Sequence, residues 1–121
     1  MLSLEFYRWF HVVSLCLILL GLVGILASRL SKQPVSKSTD RTFVFIHGFG
    51  MIFMLVAGFG AMARLGYMTN WPWWIYAKLA LWFFMGASIA LAKRKSALGF
   101  LLIGAWMITI ATGAYLGIFK P

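Results

Sequence analysis

The chain has 121 residues and carries a net charge of +9, yet only 11% of its residues are charged and 63% are hydrophobic. A soluble domain is about half apolar and a quarter charged, so this composition excludes an ordinary water-soluble fold and points to lipid as the solvent. The basic residues sit between long apolar runs and not on one polar face. That excludes a nucleic-acid-binding surface and matches the Lys/Arg bias of cytoplasmic loops in membrane proteins.

A membrane-crossing helix needs about 20 mostly apolar residues. Four stretches qualify, from about Leu4 to Ser28, Thr42 to Arg64, Pro72 to Ala92 and Ala97 to Ile118. The predicted fold class is therefore all-α, an integral membrane four-helix bundle forming a single domain over residues 1–121.

The first stretch carries Glu5 and Arg8 near its start and is followed by Arg29, Lys32 and Lys37. Basic residues after an apolar segment oppose translocation of the downstream chain, so it reads as a retained anchor and not a cleaved signal peptide. The loop RLSKQPVSKSTDR comes next, with Thr39 and Asp40 as N-cap candidates for the second helix. That helix contains HGFGMIFMLVAGFGAMAR. At about 100° per residue, His47, Gly50, Ala57, Gly58 and Ala61 share one face.

The turn LGYMTNW leads to the third stretch, where Pro72 fits a first helical turn because its missing N–H costs nothing there. A tight basic turn, Lys93, Arg94 and Lys95, precedes the fourth. Its Ala105, Thr109, Gly113 and Gly117 fall four apart. Stripes of small residues allow close helix packing in lipid, or form a smooth wall for a flat ligand such as a porphyrin or quinone.

Charge sets the expected topology. The first and third loops are basic and are expected in the cytoplasm, which puts the middle turn and both termini on the periplasmic side of a bacterial inner membrane. Tyr7, Trp9, Tyr67, Trp71, Trp73, Trp74, Tyr76 and Tyr115 all fall near that outer boundary. Tyr and Trp favour such a boundary because their rings are apolar and their polar atoms seek water.

Ionisable groups within a span are costly and need a reason. Arg8 and His11 lie one turn apart at the outer end of the first helix. Arg64 closes the second helix on the same side. Lys78 lies about 10 Å below Trp71 along the third helix axis. Arg8, Arg64 and Lys78 either snorkel to lipid headgroups or bind an anionic ligand. His11 is a metal ligand, a proton carrier or a hydrogen-bonding core residue. Haem b would use both features, with His11 on the iron and Arg8, Arg64 and Lys78 on the propionates.

His47 lies near the opposite membrane face, roughly 15 Å away along the normal. It is expected as a separate proton or hydrogen-bonding site, or as a ligand for a second cofactor. The single cysteine, Cys16, excludes an intrachain disulfide and a thiol–disulfide enzyme. No carboxylate lies within a span, which weighs against a proton-coupled exporter. The small size leaves a second reading, a non-catalytic subunit of a homo-oligomer or larger membrane complex.

The stretches YRWFHVVSLCLILLGLVGILASRL and WPWWIYAKLALWFF resemble two helices of the HemJ-type protoporphyrinogen oxidases and the related copper-resistance D domain proteins. The resemblance implies a membrane bundle that binds haem b, with the family histidine at His11 and its lysine at Lys78 as catalytic and cofactor-binding residues. It implies an oxidoreductase of the haem-biosynthesis type. Where the oxidases carry another histidine late in the lysine-bearing helix, this chain reads GASIALAKRK.

Overall fold

The computed structural model describes residues 2–31, 33 and 35–120; Lys32, one of the basic loop residues, lies outside them. Four helices follow one another: α1 (Leu4–Leu30), α2 (Lys37–Leu65), α3 (Trp73–Arg94) and α4 (Gly99–Phe119), with a 3-10 turn at Ser96–Leu98 before α4. Among the described residues there is no strand. All four helices are long and apolar enough to cross a membrane, as a multi-pass membrane protein requires.

α1 begins at Leu4 as expected, whereas α2 begins at Lys37, ahead of its apolar stretch. Ser3 caps α1 by accepting from the Phe6 N–H, and Ser36 caps α2 by accepting from the Thr39 N–H. Thr39 and Asp40, the expected caps, therefore lie inside the first turn of α2. The cause is that helix formation does not stop at the lipid boundary; it continues until a side chain satisfies the free N–H groups. Pro72 immediately precedes α3, and the Ile75 N–H bonds back to its carbonyl. Gly66 ends α2 in the left-handed region (φ 80°), where the missing Cβ removes the steric penalty.

The core is built on α1 and α2, which pack along their length. Two glycines bring the backbones together. A Cβ on Gly21 would sit 2.7 Å from the Phe43 carbonyl oxygen and 2.8 Å from the His47 nitrogen. A Cβ on Gly50 would sit 2.9 Å from the Ile18 nitrogen. Without a hydrophobic drive between helices in lipid, such close contact is what holds them. Ile18, Leu22, Ile25 and Leu26 of α1 then bury against Met51, Met85, Leu102 and Trp106 from the other three helices.

α3 packs on α1 and α4 alike, and α4 chiefly on α3. Hydroxyls inside the spans are satisfied within their own helices: Ser14, Ser88, Thr109 and Thr112 each donate to the carbonyl four residues earlier. This is the usual way to keep an unpaired polar group out of lipid. The exposed surface is large and apolar, including Phe45, Phe49, Phe83, Phe100, Leu101 and Ile108.

The two ends of the bundle differ. At one end Asp40 bridges α1 and α2, accepting from Ser28 Oγ at 2.8 Å and from Arg29 at 2.6 Å, with Lys93 close enough to interact electrostatically. At the other, aromatic rings meet edge to face or tilted: Phe59 with Trp71, Tyr67 with Trp74, and Trp71 with Tyr76.

Candidate functional site

The aromatic end encloses a cavity of about 420 Å³, within the usual range of roughly 300–1,000 Å³ for small-molecule sites. Its walls come from the first half of α1, the last half of α2, the first half of α3 and the last half of α4. Those halves can meet only if successive helices run antiparallel. The lining is mostly apolar, and its cations are Arg8, Lys78 and Lys120, with His11 beside them and no carboxylate in the wall.

The structure thus brings together three of the four outer groups expected from the sequence. Arg8, His11 and Lys78 share the cavity. Arg64 is exposed, and its chain neighbours Ala61 and Leu65 form that part of the wall instead. Helix periodicity explains this: Ala61 and Leu65 are one turn apart on the inner face, and Arg64 is turned away from it. Glu5 forms no ion pair with Arg8; among the described residues the single ion pair is Arg29–Asp40.

His11 is half-buried beside the backbone of Met54 on α2, with Lys78 near enough for their charges to interact. Its Cε1 lies 4.0 Å from where a Gly58 Cβ would be, an ordinary packing distance. A neutral imidazole carries on one ring nitrogen the lone pair that a metal needs. No cluster of three His, Cys, Asp or Glu side chains suited to a bare metal ion occurs among the described residues. A metal already held by a macrocycle needs only one such ligand.

Lys78 reaches across from α3 to α4. Its Nζ is 2.9 Å from where a Cβ on Gly117 would be. The small stripe of α4 therefore faces α3 and the cavity: Thr109, Gly113 and Gly117 all line it. Lys120 is not recognisable as a site residue from the sequence, because it lies beyond the last apolar stretch. It adopts a left-handed conformation (φ 47°) at the end of α4, and its Nζ donates to the Gly117 carbonyl at 2.7 Å. A non-glycine residue pays about 1 kcal/mol for that conformation.

His47 does not line this cavity. It is buried in the other half of the bundle, with Nε2 3.1 Å from the Met85 carbonyl oxygen. The same region has a shallow groove between α2 and α3 lined by Gly48, Met51, Phe83 and Gly86. Cys16 is free and exposed on α1.

No family model, curated protein or solved structure matches this chain.

Proposed function

We propose that this chain is a multi-pass protein of a bacterial inner membrane that binds haem b, or another anionic planar ligand, in the cavity at its periplasmic end. The observation that carries the reading is the cavity itself: apolar walls on four helices, one half-buried histidine, three cations and no carboxylate. Such a lining favours a ligand with an apolar body and negative groups, because unpaired cations in lipid are costly until an anion meets them.

The residues present fit haem b. His11 lines the cavity beside Met54 and offers an imidazole nitrogen to the iron. Arg8 and Lys78 would meet the propionates, and the Thr109–Gly113–Gly117 wall would lie along the flat face. Bound haem would supply one-electron redox chemistry. The chain's own residues bind and orient it, exclude water and place Lys78 near its edge. The resemblance of the Arg8–His11 and Lys78 segments to the HemJ-type oxidases supports the same reading and extends it to an oxidoreductase acting on a tetrapyrrole or quinone. In this reading the basic turns face the cytoplasm and both termini face the periplasm.

The test is an absorption spectrum of the protein purified in mild detergent after expression with ample haem. A Soret band that is lost in His11→Ala and kept in His47→Ala is expected. Its absence from the wild-type protein would end the haem reading.

A second reading is favoured by the α2–α3 groove, where a Cβ on Gly48 would meet nothing within 4 Å. A mostly apolar groove that includes Gly48, Gly86 and Ala87 suits a partner helix, as in a non-catalytic subunit of a membrane complex. Crosslinking in native membranes through a cysteine placed at Gly48 would capture that partner, and recovery of monomer alone would count against it.

A further inference from the structure

The cavity has two features that a planar cofactor does not by itself require. One is a pair of ammonium groups brought to a single residue from two helices. Lys78 Nζ lies 2.9 Å from the position of a Gly117 Cβ, and Lys120 Nζ lies 2.7 Å from the Gly117 oxygen. The two lysines are close enough to interact electrostatically. Like charges converge at a cost unless an anion lies between them. The partial negative charge at the C-terminus of α4 offsets part of that cost. It accepts from Lys120, whose ammonium also lies 6.0 Å from the Trp74 ring centroid. A Lys78 acceptor is not among the hydrogen bonds or ion pairs of the described residues.

The other feature is the rim. Val12 on α1 and Ile118 on α4 both line the cavity, yet they are 59% and 72% exposed. α4 has its main contacts with α3 and not with α1 or α2. The cavity therefore opens sideways, between α4 and α1, through apolar side chains that face lipid.

We infer that the cavity admits a single-headed anionic amphiphile from the surrounding lipid and seats its carboxylate or phosphate head between Lys78 and Lys120 at Gly117. Its apolar body lies along Val12, Leu15, Ile110 and Ile118. Gly117 is part of the seat because a Cβ there would lie 2.9 Å from the Lys78 ammonium and displace it from this position. The inference rests on the reading of the cavity as an anion-binding site, and it does not depend on haem or on His11.

The experiment uses the full chain in detergent and the fluorescent fatty acid cis-parinaric acid, with its uncharged methyl ester as the paired probe. The acid is expected to bind roughly tenfold more tightly than the ester, the order expected for one charge-assisted interaction. Lys78→Gln and Lys120→Gln should each remove most of that preference while leaving ester binding unchanged. Lys95→Gln, at the basic end, should alter neither. Equal binding of acid and ester by the wild-type protein overturns the inference.

Since either variant could disturb packing, Lys120→Arg is included and should keep the preference. A preference that survives both glutamine variants overturns the assignment of the seat. Displacement by oleate or by an oleoyl phosphate identifies the preferred head, and either upholds the inference. Displacement by inorganic phosphate at the same concentration overturns it, because the apolar body would then play no part. Val12→Trp should slow association of the acid several-fold, and an unchanged rate overturns the sideways path. A wild-type protein with no Soret band but a charge-dependent fatty-acid preference would sink the haem reading alone; a Soret band without that preference would sink this inference alone.

Discussion

His47 and Met85 tie α2 to α3 through a single hydrogen bond, Nε2 to carbonyl oxygen at 3.1 Å. The tie is answered from the other side, where Trp82 Nε1 of α3 donates to the Met51 carbonyl of α2 at 3.0 Å. His47 and Met51 are one turn apart, as are Trp82 and Met85. The two bonds form a reciprocal clamp between helices that otherwise share few backbone contacts. Met85 and Trp82 also line the cavity, so the clamp sets the inner limit of the site.

The clamp separates the two histidines by role. His47→Leu should lower stability by about 1 kcal/mol, the order measured for polar contacts between membrane helices. Unfolding in mixed detergent micelles would read this. Ligand binding at the cavity should be unchanged within error. His11→Ala should do the reverse, removing ligand binding with a smaller change in stability, because His11 is only half-buried. Parallel loss of binding in both variants would contradict the separation.

Two glycines on facing helices should respond in opposite ways. Gly21→Ala puts a Cβ within 2.8 Å of backbone atoms of α2, and backbone cannot swing aside as a flexible side chain can. It should separate α1 from α2 and cost roughly 2 kcal/mol or more. Gly48→Ala meets nothing within 4 Å and replaces the poorer helix former, so it should be neutral or stabilising by up to about 1 kcal/mol. A stability ranking with Gly48→Ala below Gly21→Ala would show that the α1–α2 contact is not as close as described.

The proposed topology predicts a labelling pattern. In a Cys16→Ala background, a cysteine at Asn70, in the turn between α2 and α3, should react with a membrane-impermeant maleimide added to intact bacteria after the outer membrane is opened. A cysteine at Ser96 should react only once the inner membrane is permeabilised. Basic residues flank Ser96 and none flanks Asn70 within four positions, which is the asymmetry that orients a chain. The opposite pattern would place the cavity on the cytoplasmic side.

How far the sequence carried the structure depends on which force set each feature. The spans were legible because about 20 apolar residues are a property of length and composition. Helix ends were less so: α2 starts at Lys37, in polar sequence, because its cap at Ser36 is local chemistry that hydropathy does not register. Asp40 drew a capping role by composition, yet its carboxylate goes to Arg29 and Ser28 across the helix pair, a tertiary contact with no sequence spacing to reveal it. The His11 and Lys78 positions were legible as charges in apolar runs. Lys120 was not, because only the left-handed turn at the end of α4 folds it back on Gly117. Gly21 likewise lacks the four-residue repeat of small residues seen in α4, since the positions four residues away are Leu17 and Ile25.

The two deep tryptophans give the last prediction. Trp82 and Trp106 both belong to the packed interior, but their indole N–H groups differ. Trp82 donates to Met51, whereas Trp106, 1% exposed, has no hydrogen-bond partner for its Nε1 among the described residues. Replacing each by Phe removes similar volume and a similar area of ring. At Trp82 the change also breaks one arm of the clamp. At Trp106 it removes an unsatisfied buried donor, a group that costs about 1–3 kcal/mol when left unpaired. Trp106→Phe should therefore be less destabilising than Trp82→Phe by about 1 kcal/mol or more, measured by unfolding in the same micelles. Equal losses would mean that the Trp106 N–H has found a partner, such as an ordered water, and that the core around Leu102 and Met85 is wetter than its residues imply.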